Sequence, residues 1–353
     1  MNREFWRGKR VFITGHTGFK GGWLALWLAD MGAEVHGYAL APPTEPNLFT
    51  AANVKARLAR STITDIRNVG ALVESMQVAN PSIVFHLAAQ PLVRYSYVDP
   101  AETYSVNVMG TVNLLEAVRQ TTSVKAVVNV TTDKCYENRE WVWPYRENEA
   151  MGGFDPYSSS KACSELVTAA YNRSFLEPAG KYLASARAGN VIGGGDWASD
   201  RLIPDFLRAL DTDQALTVRS PLAIRPWQHV LEPLSGYLML AEKLFLQGQG
   251  FAQPWNFGPE EADARPVQWI VEYLCSQVPS ATWNYVASTQ PHEAKTLKLD
   301  SSKARAQLGW RPRWNLQTAL NKTLTWHQDW KNASDMAAIS SQHIQEYESA
   351  GPA

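Results

Sequence analysis

Two short segments carry the residue types of proton-transfer chemistry. Tyr157-Ser-Ser-Ser-Lys161 sets a phenol and an ammonium four positions apart, so on a helix they share one face. A neighbouring ammonium favours the phenolate, and Tyr157 could then accept a proton near neutral pH. Bringing a tyrosine from about 10 to about 7 takes roughly 4 kcal/mol of differential stabilisation. Asp155-Pro156 reads as an N-cap and a first-position proline, which puts Tyr157 in the first helical turn, where the helix dipole also favours an anion. Upstream, Thr132-Asp133-Lys134 lines up a hydroxyl, a carboxylate and an amine. Taken by itself, that triplet reads as a solvated turn after a strand.

A third segment is suited to holding phosphate. Gly15-His-Thr-Gly18-Phe-Lys-Gly21 follows the apolar run 11–14 and opens the apolar stretch 22–28. Glycines in that setting allow a tight turn and let backbone approach a pyrophosphate seated on the helix N-terminus. The spacing is G-x-x-G-x-x-G with no Gly-Lys-Ser/Thr after it, which disfavours a triphosphate-binding P-loop. The acidic residue that usually holds the adenosine ribose at the end of the second strand has no counterpart. Residues 36–43 read His-Gly-Tyr-Ala-Leu-Ala-Pro-Pro, with neither carboxylate nor lysine nor arginine, and do not separate NAD from NADP. Asp65, beside Ile66, could hydrogen-bond an adenine or cap a helix, and the two readings stand level.

These segments need a scaffold, and the chain spells one out. Apolar runs at 11–14, 34–38, 82–86 and 124–130 alternate with amphipathic stretches at 67–78, 103–120 and 156–175. Near-continuous apolar strands with helices between them predict a parallel sheet covered on both faces, the doubly wound α/β (Rossmann) pattern, with a smaller C-terminal substrate-binding lobe. Residues 1–190 are assigned to the dinucleotide-binding domain, with 229–259 returning to it as a helix over 231–246 and a strand at 255–257. The lobe takes 191–228 and 260–330, and 331–353 reads as a polar tail, a frayed helix.

Composition narrows the partners. The 353 residues are 45% hydrophobic and 19% charged, with a formal net charge of −1, which argues against nucleic acid or a membrane surface as partner. Three scattered cysteines form neither a disulfide framework nor a metal site and suit a reducing, cytoplasmic location. No histidine cluster has metal-ligand spacing, so no metal is expected. No apolar run approaches a bilayer span, and the N-terminus has no apolar signal core.

Together these features resemble the extended short-chain dehydrogenase/reductase family over residues 9–330. The matching stretches are Ile13 to Gly21, His86-Leu-Ala-Ala-Gln90, Asn107-Val-Met-Gly-Thr111, Tyr157 with Lys161, and Leu299-Asp300 through Leu308-Gly-Trp310. The resemblance implies an NAD cofactor held by Gly15, His16, Gly18, Phe19, Lys20, Gly21, Asp65 and Ile66, with Leu87, Ala88 and Ala89 along its nicotinamide side. It also implies a catalytic triad of Thr132, Tyr157 and Lys161. Sugar-nucleotide 4,6-dehydratases of this family carry Thr-Asp-Glu where epimerases lack the acidic pair, and here Asp133 is kept while Lys134 replaces the glutamate. With Arg187-Ala-Gly-Asn190, Gly193-Gly-Gly-Asp-Trp197 and Arg225-Pro-Trp-Gln-His229, that departure is similar to the branch acting on CDP-glucose, a step toward deoxysugars of surface polysaccharide.

The implied chemistry explains why such residues belong together. The C5 proton of glucose becomes acidic only once C4 is a ketone. Tyr157 would take the C4 hydroxyl proton with Thr132 orienting it, Lys134 or a water it orders would take the C5 proton, and Asp133 would protonate the departing C6 hydroxyl. A lysine base must be neutral and an aspartate acid protonated, so a charged Asp133–Lys134 couple serves neither role. Arg225, Arg219, Arg187 and Asn190 are the candidates for the substrate diphosphate, guanidinium forks matching phosphate oxygens in pairs. His292 and Glu293 are further possibilities. The rivals are a 4-epimerase, which conserves mass, and a non-catalytic dinucleotide sensor, a class that typically lacks the Tyr-x-x-x-Lys pair. The helices at 103–120 and 156–175 are those through which the family forms homodimers, and a homotetramer is equally compatible.

Overall fold

A computed structural model describes residues 2–286 and 294–351; His292 and Glu293 lie outside the described residues. The strands of the main sheet are β1 (Arg10–Thr14), β2 (Glu34–Ala39), β3 (Arg60–Ile63), β4 (Ile83–His86), β5 (Ala126–Val130) and β6 (Tyr182–Ala188). Three short strands follow in the chain, β7 (Asn190–Ile192), β8 (Leu216–Val218) and β9 (Ile224–His229), before β10 (Trp255–Phe257). The main sheet runs β10-β6-β5-β4-β1-β2-β3 with every pairing parallel. Strand order reverses between β1 and β4, and the crevice beyond their C-terminal ends is where open α/β sheets bind ligands. The segments 11–14, 83–86 and 126–130 are apolar throughout or nearly so because both sheet faces are covered. One face packs Trp23, Trp27 and Trp255, and the other packs Leu72, Met76, Leu114 and Val118.

The helices covering the sheet are α1 (Phe19–Asp30), α2 (Val69–Ala79), α3 (Gly110–Gln120) and α4 (Pro156–Tyr171). The expected helix 103–120 is broken by a wide turn over Ser105–Met109, a feature that often marks functional sites. The turn aims Asn107 at the loop after β4. Its Oδ1 accepts from Gln90 N at 2.8 Å, and its Nδ2 donates to Gln90 O at 3.1 Å and to Ser160 Oγ at 2.9 Å. One side chain thereby clamps that loop to α4.

The smaller lobe contains α5 (Leu202–Asp211), β8 and β9, then β11 (Ala264–Pro266), α7 (Val267–Gln277) and β12 (Trp283–Tyr285), with α6 (Leu231–Gln247) preceding β10 on the main sheet side. Strands β11-β9-β7 form one small sheet and β12-β8 another. The lobe has its own core of Phe206, Leu207, Val218, Trp227, Ile270 and Leu274.

The C-terminal region departs from expectation. After α8 (Leu316–Lys331) comes α9 (Met336–Ser349), an ordered helix capped by Asp335, which accepts from Ala337 N and Ala338 N. Met336, Ser340, His343, Ile344 and Tyr347 form a buried stripe at helical spacing, and the Tyr347 hydroxyl donates to Glu232 at 2.6 Å. The polar residues that suggest a tail are this helix's outer face. Among the described residues, no helix is long and apolar enough to cross a membrane.

Candidate active site

The crevice beyond β1 and β4 opens into a cleft of about 1160 Å³ that runs between the sheet and the smaller lobe. The glycine turn forms its floor. Gly15 has φ of +81°, a backbone conformation that favours glycine. A Cβ on Gly15 would come within 2.8 Å of Ala88 N, and one on Gly21 would run into the Gly15 carbonyl oxygen. Gly15, Gly18, Phe19, Lys20 and Gly21 all line the cleft, and first-turn N–H groups of a helix have no intrahelical acceptor. This cradle fits a dinucleotide pyrophosphate. Gly21→Ala must therefore displace the turn, at about 1–3 kcal/mol for overpacking. The expected result is a lower thermal midpoint together with weaker dinucleotide affinity, read by calorimetric titration.

The wall beyond the turn is set by Thr14. Its Oγ1 accepts from Leu87 N and Ala88 N at 3.2 Å each and bonds His86 Nδ1 at 2.7 Å. Ile66, Leu87, Ala88 and Ala89 line the cleft as expected for the cofactor side. Asp65 also lines it, with its carboxylate gripped by Arg67 through Nε at 3.0 Å and Nη2 at 2.6 Å. Asn68, not Asp65, caps α2.

His16 is not among the residues that line the cleft. Its ring is fully buried on the far side of the turn, bonded to Ser61 Oγ at 2.7 Å and edge-on to Phe49. It fills the space where a side chain at Gly37 would sit. Burial pushes its pKa down to about 4, so it is a neutral packing residue. Lys20 does face the cleft. Burial, then the charges of Arg201 and Lys161, pull its ammonium down to about 7, with Asp133 opposing.

Strand β5 delivers Thr132 to the cleft, and Thr132 caps the single turn Asp133–Cys135. Its hydroxyl donates to Asp133 Oδ1 at 3.0 Å. Asp133 is wholly buried; its Oδ1 meets Lys134 Nζ at 3.2 Å, while Oδ2 has no partner among the described residues. Lys134 Nζ also reaches Asn190 Oδ1 at 3.4 Å. The acid and base candidates thus sit as a contacting pair, one oxygen of which is a buried acceptor awaiting a donor.

Tyr157 enters from α4, where Asp155 Oδ1 accepts from Ser158 N at 2.9 Å and Pro156 occupies the first turn. The phenol is 9% exposed. Burial pushes it up to about 12, with the Thr132 hydroxyl and the Arg201 charge pulling it back and Asp133 raising it further. The expected helper, Lys161, instead donates to Val130 O at 3.4 Å, and burial pulls its own pKa down to about 8 against the charge of Glu165. Tyr157 thus starts farther from neutrality than its reference value, and the charge of Arg201 is among the influences that lower it.

The arginines divide. Arg219 and Arg225 line the cleft, Arg219 paired with Asp200 at 3.0 Å and Arg225 donating to the carbonyls of Ile224, Ala294 and Lys295. Asn190 lines it as well. Arg187 does not. It is 2% exposed, and its guanidinium is occupied by Glu165, Tyr136 and the Glu147 carbonyl, so the expectation that it binds a phosphate is not met. Two cleft arginines were missed by the sequence reading, Arg201, held by Asp196 at 2.8 Å, and Arg94, paired with Asp200 at 3.4 Å. The alternating charges of Asp196, Asp200 and Arg201 were the available signal for the first.

Comparison with known proteins agrees with this geometry. The model of the family described as GDP-mannose 4,6 dehydratase matches residues 12–250. The chain is 55% identical to the CDP-glucose 4,6-dehydratase of Salmonella typhimurium, with 99% of each chain covered. It is 26% identical to a probable dTDP-glucose 4,6-dehydratase of Sinorhizobium fredii, covering 90% and 92%. The fold matches that of a dTDP-glucose 4,6-dehydratase from Bacillus anthracis in complex with NAD, with a TM-score of 0.77, 20% identity and coverage of 93% and 99%. It equally matches a UDP-glucose 4-epimerase from Thermotoga maritima, with a TM-score of 0.78, 21% identity and coverage of 90% and 98%. The chain belongs to the GDP-mannose 4,6-dehydratase family of extended short-chain dehydrogenase/reductases.

Proposed function

We propose that this chain is an NAD-dependent hydro-lyase that converts CDP-D-glucose to CDP-4-keto-6-deoxy-D-glucose. The observation that carries it is the buried Asp133 in contact with Lys134, beside Thr132 and across the cleft wall from Tyr157. Epimerisation at C4 needs only the hydride step, whereas this site adds an acid and a base. The choice of nucleotide rests on the 55% identity with the Salmonella relative.

Gly15, Gly18, Phe19, Lys20 and Gly21 would hold NAD, which would supply a reversible hydride acceptor for C4 and C6. The residues do the rest. Tyr157 takes the C4 hydroxyl proton while Thr132 holds that oxygen. The ketone makes the C5 proton acidic; Lys134 removes it, and Asp133 gives a proton to the C6 hydroxyl as it leaves as water. An ammonium has no lone pair, so the pair becomes competent when the shared proton sits on Asp133, which makes the acid and the base in one internal transfer. With hydride back on C6, the Lys134 ammonium returns its proton to C5 and the proton Tyr157 took from C4 resets Asp133, so the cofactor would end oxidised. Arg225 and Arg219 face the substrate diphosphate, with Asn190 as neutral donor.

Two further features belong to this reading. Leu166 on α4, Phe175 just beyond it, and Tyr104 and Met109 in the segment 100–109 before α3 are exposed apolar side chains, suited to a second copy of the chain in a homodimer or homotetramer. Cys135, Cys163 and Cys275 are free, which fits a cytoplasmic location.

Offered CDP-glucose and NAD, the purified protein is expected to form a product lighter by one water with no net reduced cofactor. Mass spectrometry with parallel absorbance decides it. A product of unchanged mass would make the protein an epimerase, and stoichiometric reduced cofactor would make it a simple dehydrogenase.

A further inference from the structure

Tyr157, Lys161 and Glu165 recur every four residues along one face of α4, and the third of them has no part in the chemistry above. Glu165 and Arg187 form a two-pronged buried pair, Nε to Oε1 at 2.9 Å and Nη2 to Oε2 at 3.0 Å. Thr131 and Ser185 hydroxyls donate to the same carboxylate at 2.5 Å each. On its other side Arg187 donates to the Tyr136 hydroxyl at 2.7 Å. Thr131 directly precedes Thr132, and Tyr136 directly follows the turn Asp133–Cys135. The pair therefore grips both ends of the segment that carries Thr132, Asp133 and Lys134, and places a carboxylate one helical turn below Lys161.

The geometry points to Glu165, anchored by Arg187, as a positioning residue that keeps Lys161 cationic and the 131–136 corner in register with α4. The inference rests on the dehydratase reading and adds to it a role for Lys161, one helical turn from Tyr157 on α4, in the Tyr157 step. Packing alone does not call for an ion pair here, since apolar replacements of buried pairs are often as stable or more so. What an apolar pair lacks is negative charge. The titratable groups facing Lys161 are Tyr157 and Glu165 on its own helix, Lys20 from α1, His86 at the end of β4 and Cys135 in the corner. Burial keeps His86 neutral, at about 3, and pushes the Cys135 thiol well up. Of these groups Glu165, held low by Arg187 and its hydroxyl donors, is the anion at neutral pH. Without it, burial would strip Lys161 of its proton at lower pH.

The test compares Glu165→Gln, which keeps shape and loses charge, with Glu165→Asp, which keeps charge and loses shape. The Lys161 Cε resonance is followed against pH in cofactor-free protein carrying ¹³C-lysine, assigned by its loss in Lys161→Arg. In Glu165→Gln its midpoint is expected to fall by about one pH unit or more, and the alkaline limb of cofactor reduction by CDP-glucose should move down with it. Glu165→Asp should hold both near wild type despite a lower thermal midpoint. If Glu165→Gln does not fold, the charge-balanced Glu165→Gln/Arg187→Met takes its place, with a smaller fall expected in the same direction because the Arg187 cation is removed as well. An unmoved Lys161 midpoint, or Asp behaving like Gln, overturns the inference. Wild-type protein that forms no dehydrated product, while the Lys161 shift is still seen, would overturn the dehydratase reading and leave the charge coupling standing.

Discussion

Tyr157→Phe is expected to stop the reaction at its first step, with no reduced-nicotinamide absorbance when substrate and NAD are mixed with excess enzyme. The substitution removes one oxygen and leaves the ring, and it leaves the cap of α4, which depends on Asp155 and Ser158, untouched. Folding and dinucleotide affinity should therefore survive. The hydride cannot leave C4 unless the hydroxyl proton leaves too, and the phenol is the group placed to take it. Loss of a general base costs ~10²–10⁴-fold. The effect should reach the upper part of that range here, because the alcohol of Thr132 is far too weak a base to take over from the phenol. Burial pushes the phenol up to about 12, and the charge of Arg201 is one of the influences that lower it. Normal cofactor reduction in Tyr157→Phe would overturn the assignment of the triad.

How much of this was legible beforehand follows from the range of each interaction. The glycine turn, the Tyr157–Lys161 spacing and the Asp155-Pro156 helix start depend on contacts within a few residues, and the sequence reading located all three. The parallel sheet was legible because its strands are buried on both faces and so read as apolar runs. Partners set by long-range packing were not legible. Arg187 looked like a phosphate ligand because its partner Glu165 lies 22 positions away on another element. His16 sits within the turn that lines the cleft, yet its ring goes to Ser61, 45 residues on. The C-terminal stretch reads as a helix, but its polar outer face hid the packing of that helix, although the stripe at 336, 340, 343, 344 and 347 carries the helical period.

Lys134→Ala and Asp133→Asn should behave quite differently from Tyr157→Phe. Both leave the phenol, Thr132 and the glycine cradle in place, so the first hydride transfer should proceed. Each then lacks one partner of the elimination. Without Lys134 the corner loses the amine that takes the C5 proton, and without the Asp133 carboxyl the C6 oxygen must leave as hydroxide. Either change should slow water loss by ~10²–10⁴-fold. Reduced-nicotinamide absorbance should then build up and persist in a single turnover, with 4-keto-glucose nucleotide recovered on quenching. The two variants differ in risk to the fold. Lys134→Ala leaves Asp133, wholly buried, without the ammonium at 3.2 Å, and an uncompensated buried charge typically costs about 3–5 kcal/mol. Asp133→Asn keeps shape and removes that charge, so it is the cleaner probe. The pair also tests the shared-proton step. If acid and base arise by one transfer between Asp133 and Lys134, the double variant should be little slower than either single one, because each single loss already disables both partners. Roughly additive losses would mean that the two residues act separately. An unchanged dehydration rate in Lys134→Ala would make that lysine a bystander and move the C5 base to Tyr157 or a bound water.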